Sequence, residues 1–187
     1  MMTPITVKAI IGSTSPDSYN AKVVQFMKER YADRLNIIPV YINELETFSV
    51  SQEKHFPPEA RKFADEIHDS DAVLFATPEY NYSIPGSLKN AIDWLSRGGE
   101  NVLKDKPAFI IGVSKGVLGT VRAQNHLREI LFSPNLSPNI LKNNEVYIGM
   151  IQEKLDNSEN LVDQGTLAFL DKVIDNFVSF YNVEKNK

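Results

Sequence analysis

Short apolar runs alternate along this chain with stretches whose apolar residues recur every three or four positions. "ITVKAIIG" predicts a first strand over 5–11, and residues 20–34 predict a helix with Val24, Met27 and Tyr31 on one face. "LNIIPVYI" predicts a second strand over 35–42. A helix over 58–69 follows, with Ala60, Phe63, Ala64 and Ile67 at i, i+3, i+4 and i+7. "DAVLFAT" (71–77) predicts a buried third strand. Pro85 suits the first turn of the next helix, where no amide donor is needed. That helix extends to about Ser96, with Leu88, Ala91, Ile92 and Leu95 as its stripe. "PAFIIGV" predicts a fourth strand over 107–113, and residues 120–132 predict a helix with Ala123, Leu127, Ile130 and Leu131 inward. "EVYIGM" (145–150) predicts a short fifth strand. The last helix spans 160–181, with Leu167, Leu170, Ile174, Phe177 and Tyr181 at spacings of three and four.

Five strands alternating with five helices predict an α/β fold built on a parallel, doubly wound sheet. The third and fourth strands are almost wholly apolar, as strands covered on both faces should be. Pro39 removes a ladder donor from the second strand and assigns it to an edge. The order 2-1-3-4-5 meets that condition. It also opens a ligand crevice beyond the carboxyl ends of the strands, at the switch point between strands 1 and 3. Without internal repeat or linker, residues 1–187 read as one domain.

Composition narrows the functional classes. The chain has 187 residues, 42% hydrophobic and 24% charged, with a net charge of −4. That balance gives no reason to expect nucleic acid or an anionic membrane as partner. With no cysteine there is no disulfide, thiolate metal site or thiol catalysis, which fits a reducing compartment. Three scattered histidines offer no recognised metal-ligand spacing. No apolar run is long enough to predict a transmembrane helix. The N-terminal "MMTPITVKAI" lacks the features of a secretory signal, so the expectation is cytoplasmic.

Three polar loops follow the central strands. "GSTSPDSYN" (12–20) places Ser13, Thr14, Ser15 and Ser18, with Asn20 close behind, where a helix begins. Free amides, the helix dipole and hydroxyl donors there suit a phosphate dianion. Capping by Ser18 or Asp17 explains the same residues, and the two roles can coexist. "TPEYNYSIPG" (77–86) carries Tyr80 and Tyr82, suited to cover a planar ring, and backbone at Glu79, Tyr80 and Asn81 suited to its polar edge. A Pro-rich turn with surface tyrosines is the plainer reading. In "GVSKGVLG" (112–119), Gly112, Gly116 and Gly119 allow either close approach to a ligand or tight packing of strand on helix.

Gly112-Val113-Ser114-Lys115-Gly116 also satisfies G-x-S-x-G, the serine nucleophile elbow of α/β-hydrolases. Such a serine esterase needs an acid and then a histidine later in the chain. His126 alone follows Ser114, twelve residues on and within the very next helix. At about 1.5 Å rise per residue that helix carries it away from the serine.

Together the loops resemble the NADPH-dependent FMN reductase family, which includes quinone, chromate and azo-dye reductases. The first loop is similar to the family pattern G-S-x-R-x-x-S-x-N at Gly12, Ser13, Ser18 and Asn20. "PEYNYSIPGSLKNAIDW" (78–94) resembles the most characteristic family segment nearly throughout, and 112–128 resembles the third flavin loop and its helix. The resemblance implies a flavodoxin-like three-layer sandwich and bound FMN. It implies a phosphate held by Ser13, Ser15, Ser18 and Asn20. The ring would lie against Pro78, Glu79, Tyr80, Asn81 and Tyr82, with Ser114, Lys115, Gly116 and Gly119 on the site's other side. It further implies NADH or NADPH as co-substrate and a small-molecule electron acceptor such as a quinone. The flavin carries the chemistry, so no protein nucleophile is required.

A homodimer or homotetramer is also implied, with Trp94 a candidate for either its interface or the core edge. The connections 43–57 and 133–144 are candidates for that boundary or for a cover on the site. Two departures stand out. Ser15 replaces the family arginine, and Lys115 stands where many relatives carry proline, a candidate replacement for the lost charge. A flavodoxin-type electron carrier and a flavin-binding regulator without turnover are the competing classes.

Overall fold

The central strand β1 (Ile5–Ile11) pairs in parallel with β2 (Leu35–Tyr41) on one side and β3 (Ala72–Ala76) on the other. β3 in turn pairs with β4 (Pro107–Val113). This computed structural model describes residues 3–97 and 101–186, so Met1 and Met2 of the stretch read for a leader lie outside it. Pro39 does lie on an edge strand, opposite Ala9, where its missing donor is tolerated.

The order β2-β1-β3-β4-β5 matches the prediction, with one change at the far edge. Instead of one fifth strand over 145–150, two short segments pair with β4. These are β5 (Asn139–Ile140) against Pro107 and Ala108, and β6 (Val146–Ile148) against Ile111 to Val113. Between them the polar run Lys142-Asn143-Asn144-Glu145 turns off the edge, with Asn143 at φ 59°. The connection 133–144 therefore completes the sheet in part rather than standing free.

Alternation along the strands divides the core. Val7, Ala9, Ile11, Leu74, Phe109 and Ile111 face α1 (Tyr19–Arg30) and α5 (Gln164–Lys185). Ile10, Val73, Phe75, Ala108 and Ile110 face α2 (Pro58–His68), α3 (Gly86–Leu95) and α4 (Val121–Leu131). Each face is thus covered, which is why β3 is apolar throughout. The predicted stripes are the buried ones, Leu167, Leu170, Ile174, Phe177 and Tyr181 among them.

Helix ends differ for local reasons. α1 stops at Arg30 because the amides of Arg34 and Leu35 fold back on the Tyr31 carbonyl at 3.0 and 2.8 Å. α5 starts at Gln164, capped by Asp163, because Leu161 is drawn into a bridge with Leu155. Pro85 is the cap residue before α3 rather than part of its first turn.

Trp94 is a core residue, fully buried in this chain. Phe48 and Phe56 meet it edge-on, each ring centroid 5.0 Å away, and its Nε1 donates to the Glu46 carbonyl at 2.8 Å. The connection 43–57 is thus a strap over α3, further held by Asn90, whose Nδ2 donates to the same Glu46 carbonyl. Among the described residues no helix is long and apolar enough to cross a membrane.

Candidate functional site

β1 leads to α1 on one face of the sheet, and β3 leads to α3 on the other. Their loops therefore part at the sheet's carboxyl end and leave a crevice, the switch point of a doubly wound fold. Gly12 makes this parting possible. A Cβ there would lie 2.9 Å from Leu88 Cδ2 and 3.0 Å from the Ala76 carbonyl oxygen.

In the first loop Ser18 is the N-cap of α1, its Oγ accepting from the Ala21 amide at 3.2 Å. Capping uses the oxygen's lone pair and leaves the hydroxyl proton to donate. Ser13 is buried and its Oγ accepts from the Ser15 amide at 3.2 Å, tightening the loop. Ser15 is exposed, and Asn43 at the end of β2 donates to the Thr14 carbonyl at 3.0 Å. No acidic residue occupies the first turn of α1. Hydroxyls and amides at a helix start suit a phosphate dianion, with Asp17 as the one carboxylate just outside the first turn.

Asn20 also ties this loop to the rest of the site. Its Nδ2 donates to the Val113 carbonyl at 3.1 Å and its Oδ1 accepts from the Val113 amide at 3.0 Å, both buried. It fastens the start of α1 to the end of β4, and so the first loop to the third.

In the second loop Tyr80 and Ser83 exchange backbone hydrogen bonds at 2.9 and 3.0 Å around Asn81 and Tyr82. Asn81 has φ 50° and Tyr82 φ 65°. Two successive left-handed residues make a type I′ turn, whose usual second residue is glycine. The Tyr80 and Tyr82 side chains are exposed, and the Arg122 guanidinium lies 4.2 Å from the Tyr82 ring centroid. The Glu79 side chain turns away from solvent. Its Oε2 accepts from the amides of Arg122 and Ala123 at 3.0 and 3.2 Å, and its Oε1 from Arg122 Nη1 at 3.3 Å. Thr120, the residue that sequence rules would choose to cap α4, has φ 67° and makes no cap bond. Glu79 caps the helix from another loop, a role that no local sequence signal marks.

The third loop separates its glycines. A Cβ on Gly112 would lie 1.6 Å from Thr120 Oγ1, and one on Gly119 would lie 2.5 Å from the Tyr147 carbonyl carbon. Both are packing glycines. Gly116 meets nothing closer than Ser114 Oγ at 4.0 Å, and Lys115 to Leu118 are exposed. Ser114 Oγ donates to the Gly116 carbonyl at 2.8 Å, while His126 Nδ1 is bonded to Ser83 Oγ at 2.7 Å. The elbow serine has no histidine beside it, which ends the esterase reading. Lys115 Nζ sits 5.6 Å from the Tyr19 ring centroid at the start of α1. Lys22 flanks the same ring but is paired with Glu159.

A wide surface groove of about 1300 Å³ lies elsewhere, between Phe132, Pro134, Ile140 and Phe180. Volume does not locate this site, because a flat ligand needs a crevice and exposed donors rather than an enclosed chamber.

Such a switch-point crevice, with a phosphate-suited helix start on one side and an aromatic turn on the other, places the protein among the flavodoxin-like nucleotide-binding folds. The sequence model of the NADPH-dependent FMN reductase family matches residues 5–153, and the chain belongs to that family. It is thus an oxidoreductase whose cofactors are FMN and a nicotinamide nucleotide. The NADH-dependent flavin reductase subunit 2 of Lactobacillus johnsonii is 41% identical over 178 residues, covering 92% of this chain and 95% of the relative. Quinone reductase of Escherichia coli is 38% identical over 174 residues, covering 91% and 92%. The solved structure of FerB, a flavoenzyme NAD(P)H:(acceptor) oxidoreductase from Paracoccus denitrificans, superposes with TM-score 0.87 at 34% identity, covering 96% and 98%.

Proposed function

We propose that this enzyme uses NAD(P)H to reduce quinones or related small acceptors by two electrons, with chromate, azo compounds and free flavin in the same chemical range. The observation that carries the proposal is the convergence of three donor-rich loops on one switch-point crevice. When bound, FMN supplies the hydride chemistry between the nicotinamide and the acceptor.

Ser13, Ser15 and Ser18 hold the phosphate with the amides that open α1, and Lys115 adds positive charge from the third loop. Asn20 joins this set in two ways: its bonds to Val113 fix the first loop, and the second proton of its Nδ2 remains to donate to the phosphate. Pro78, Glu79, Tyr80, Asn81 and Tyr82 present backbone and aromatic surface to the flat ring. Ser114 shapes its loop, Gly116 leaves room for close approach, and Gly119 acts through packing on β6.

The acceptor site is bordered by a second copy of this chain. Val117 and Leu118 stay exposed next to the loops, and Tyr147 joins them through the contact of β6 with Gly119. A homodimer covering that apolar rim is the assembly proposed, in a cytoplasm that supplies NAD(P)H.

The purified protein should show a flavin spectrum that bleaches on anaerobic addition of NADH or NADPH. A quinone should then restore the colour, with steady turnover. Protein that stays colourless after incubation with FMN defeats the proposal. Bound flavin without NAD(P)H oxidation favours the electron carrier or the non-turning-over regulator instead. Light scattering before and after Leu118→Glu tests the dimer, which should dissociate.

A further inference from the structure

The turn at 80–83 does not owe its shape to its own sequence alone: Asn81 suits a type I′ turn and Tyr82 does not. Tyr82 holds a left-handed conformation that bulky L side chains avoid, at a position where type I′ turns favour glycine. What surrounds it explains the shape. Before the turn, the Glu79 carboxylate accepts from the Arg122 and Ala123 amides. On the turn, the Tyr82 ring lies under the Arg122 guanidinium. After it, Ser83 is bonded to His126. All of these partners stand in the first two turns of α4.

We propose that Glu79 is a positioning residue: by capping α4 in trans it clamps the strained 80–83 turn in the one shape that presents its outer face to a planar ring. The inference rests on the flavin reading above and deepens it. A two-residue turn leaves the amides of its central residues, Asn81 and Tyr82, outside its own pair of hydrogen bonds. Those amides can be aimed at a ring's polar edge only while both residues stay left-handed. The Glu79 carboxylate points into the helix and not into the crevice, so it acts through the backbone that follows it. Backbone strain at a functional loop persists when its surroundings over-determine it, and here the surroundings are one helix start.

The discriminating experiment is a double-mutant cycle between Glu79→Ala and Tyr82→Gly, in the full chain. Asn-Gly adopts the type I′ turn unaided, so the Tyr82→Gly background no longer needs a clamp. FMN affinity is read from flavin fluorescence quenching. Amide hydrogen exchange at 80–83 is read in the flavin-free protein. Glu79→Ala should weaken FMN binding about tenfold when Tyr82 is present, the scale of one lost helix cap. In the Tyr82→Gly background the same change should cost about twofold or less, within ordinary additivity. Exchange at 80–83 should quicken in Glu79→Ala and not in the double variant relative to Tyr82→Gly alone.

Equal penalties in both backgrounds would overturn the proposal, since a cap that merely stabilises α4 acts the same way in each. If Glu79→Ala does not fold, Glu79→Gln carries the same cycle, because its amide oxygen still accepts from α4 while the ion pair with Arg122 is lost. Its penalty should then lie between those of the wild type and a full truncation and vanish in the glycine background. A wild type that fails to bind FMN defeats the cofactor reading, and the exchange arm still decides the clamp.

Discussion

Asn20 and Val113 exchange two hydrogen bonds across 93 positions of sequence, the side chain of one serving both backbone groups of the other. The pair acts as one more rung at the end of β4, where the strand would otherwise leave a buried amide and carbonyl unpaired. Replacing Asn20 by Ala should therefore cost about 2–4 kcal/mol, since each orphaned buried group is penalised by desolvation. Urea denaturation measures that loss. FMN binding should weaken with it because the first and third loops lose their common fastening. An Asn20→Ala variant as stable as the wild type would show that water replaces the side chain.

Lys115 is the cation placed nearest the start of α1 without an ion pair among the described residues, whereas Lys22 is engaged by Glu159. Lys115→Ala should raise the dissociation constant for FMN or for NADPH by about three- to tenfold, the scale of one partly exposed charge–phosphate contact. The loss should shrink at high salt, because the charge is exposed. Titration calorimetry with each ligand decides it, and unchanged constants for both would remove Lys115 from the site.

Gly112 and Gly116 stand four residues apart and should respond in opposite ways to alanine. At Gly112 the new Cβ collides with Thr120 Oγ1 and with Gln124 Nε2, 2.7 Å away, both buried. Overpacking of this kind costs about 1–3 kcal/mol or more. At Gly116 the Cβ enters open space, so thermal stability should hold while FMN affinity falls. Thermal melts paired with FMN titrations separate the two effects. A Gly116→Ala protein with undiminished affinity would show that the ligand keeps its distance from this backbone.

Trp94 is the only tryptophan in the chain and is fully buried. Its emission should be blue-shifted and shift red on unfolding. Trp94→Ala should cost about 3–5 kcal/mol, the range for emptying a large aromatic site. A red-shifted native spectrum would contradict the strap of residues 43–57 over α3.

Acid stability follows from two carboxylates near α5. Thr166 and Lys154 hold the Asp163 carboxyl down at about 2, and the Arg30 guanidinium with the Tyr31 hydroxyl lowers that of Asp171. Both are depressed in the folded state, so the unfolded chain binds more protons as pH falls below the ordinary carboxylate value of about 4. Their stabilisation is therefore complete above that value and is lost as pH drops toward 2. Melting temperatures between pH 7 and pH 2 should be flat at first and then decline. Asp171→Asn should flatten the decline, and an unchanged slope would exclude its contribution.

Much of this architecture was legible in the chain. Strand and helix periodicities mark ten of the elements because each buries one stripe or face, and burial is written locally in residue spacing. Pro39 set its strand at the edge through its own chemistry, the missing amide. The split far edge was not legible, because β5 is only two residues long and leaves no period to detect.

The candidate site divides along the same line. Sequence alone determined the sheet order, the loops that follow its central strands, and the hydroxyl and aromatic residues those loops bring. Only the tertiary structure decided what each side chain does there. Asn20 fastens Val113, Glu79 caps a helix 42 positions away from it at Val121, and Trp94 lies under a strap rather than at an edge. Loop residues make contacts with partners distant in sequence, and hydrogen bonds between such partners leave no periodic trace. The fold was readable because its cause is local patterning, and the roles of the site residues were not because their cause is proximity created by folding.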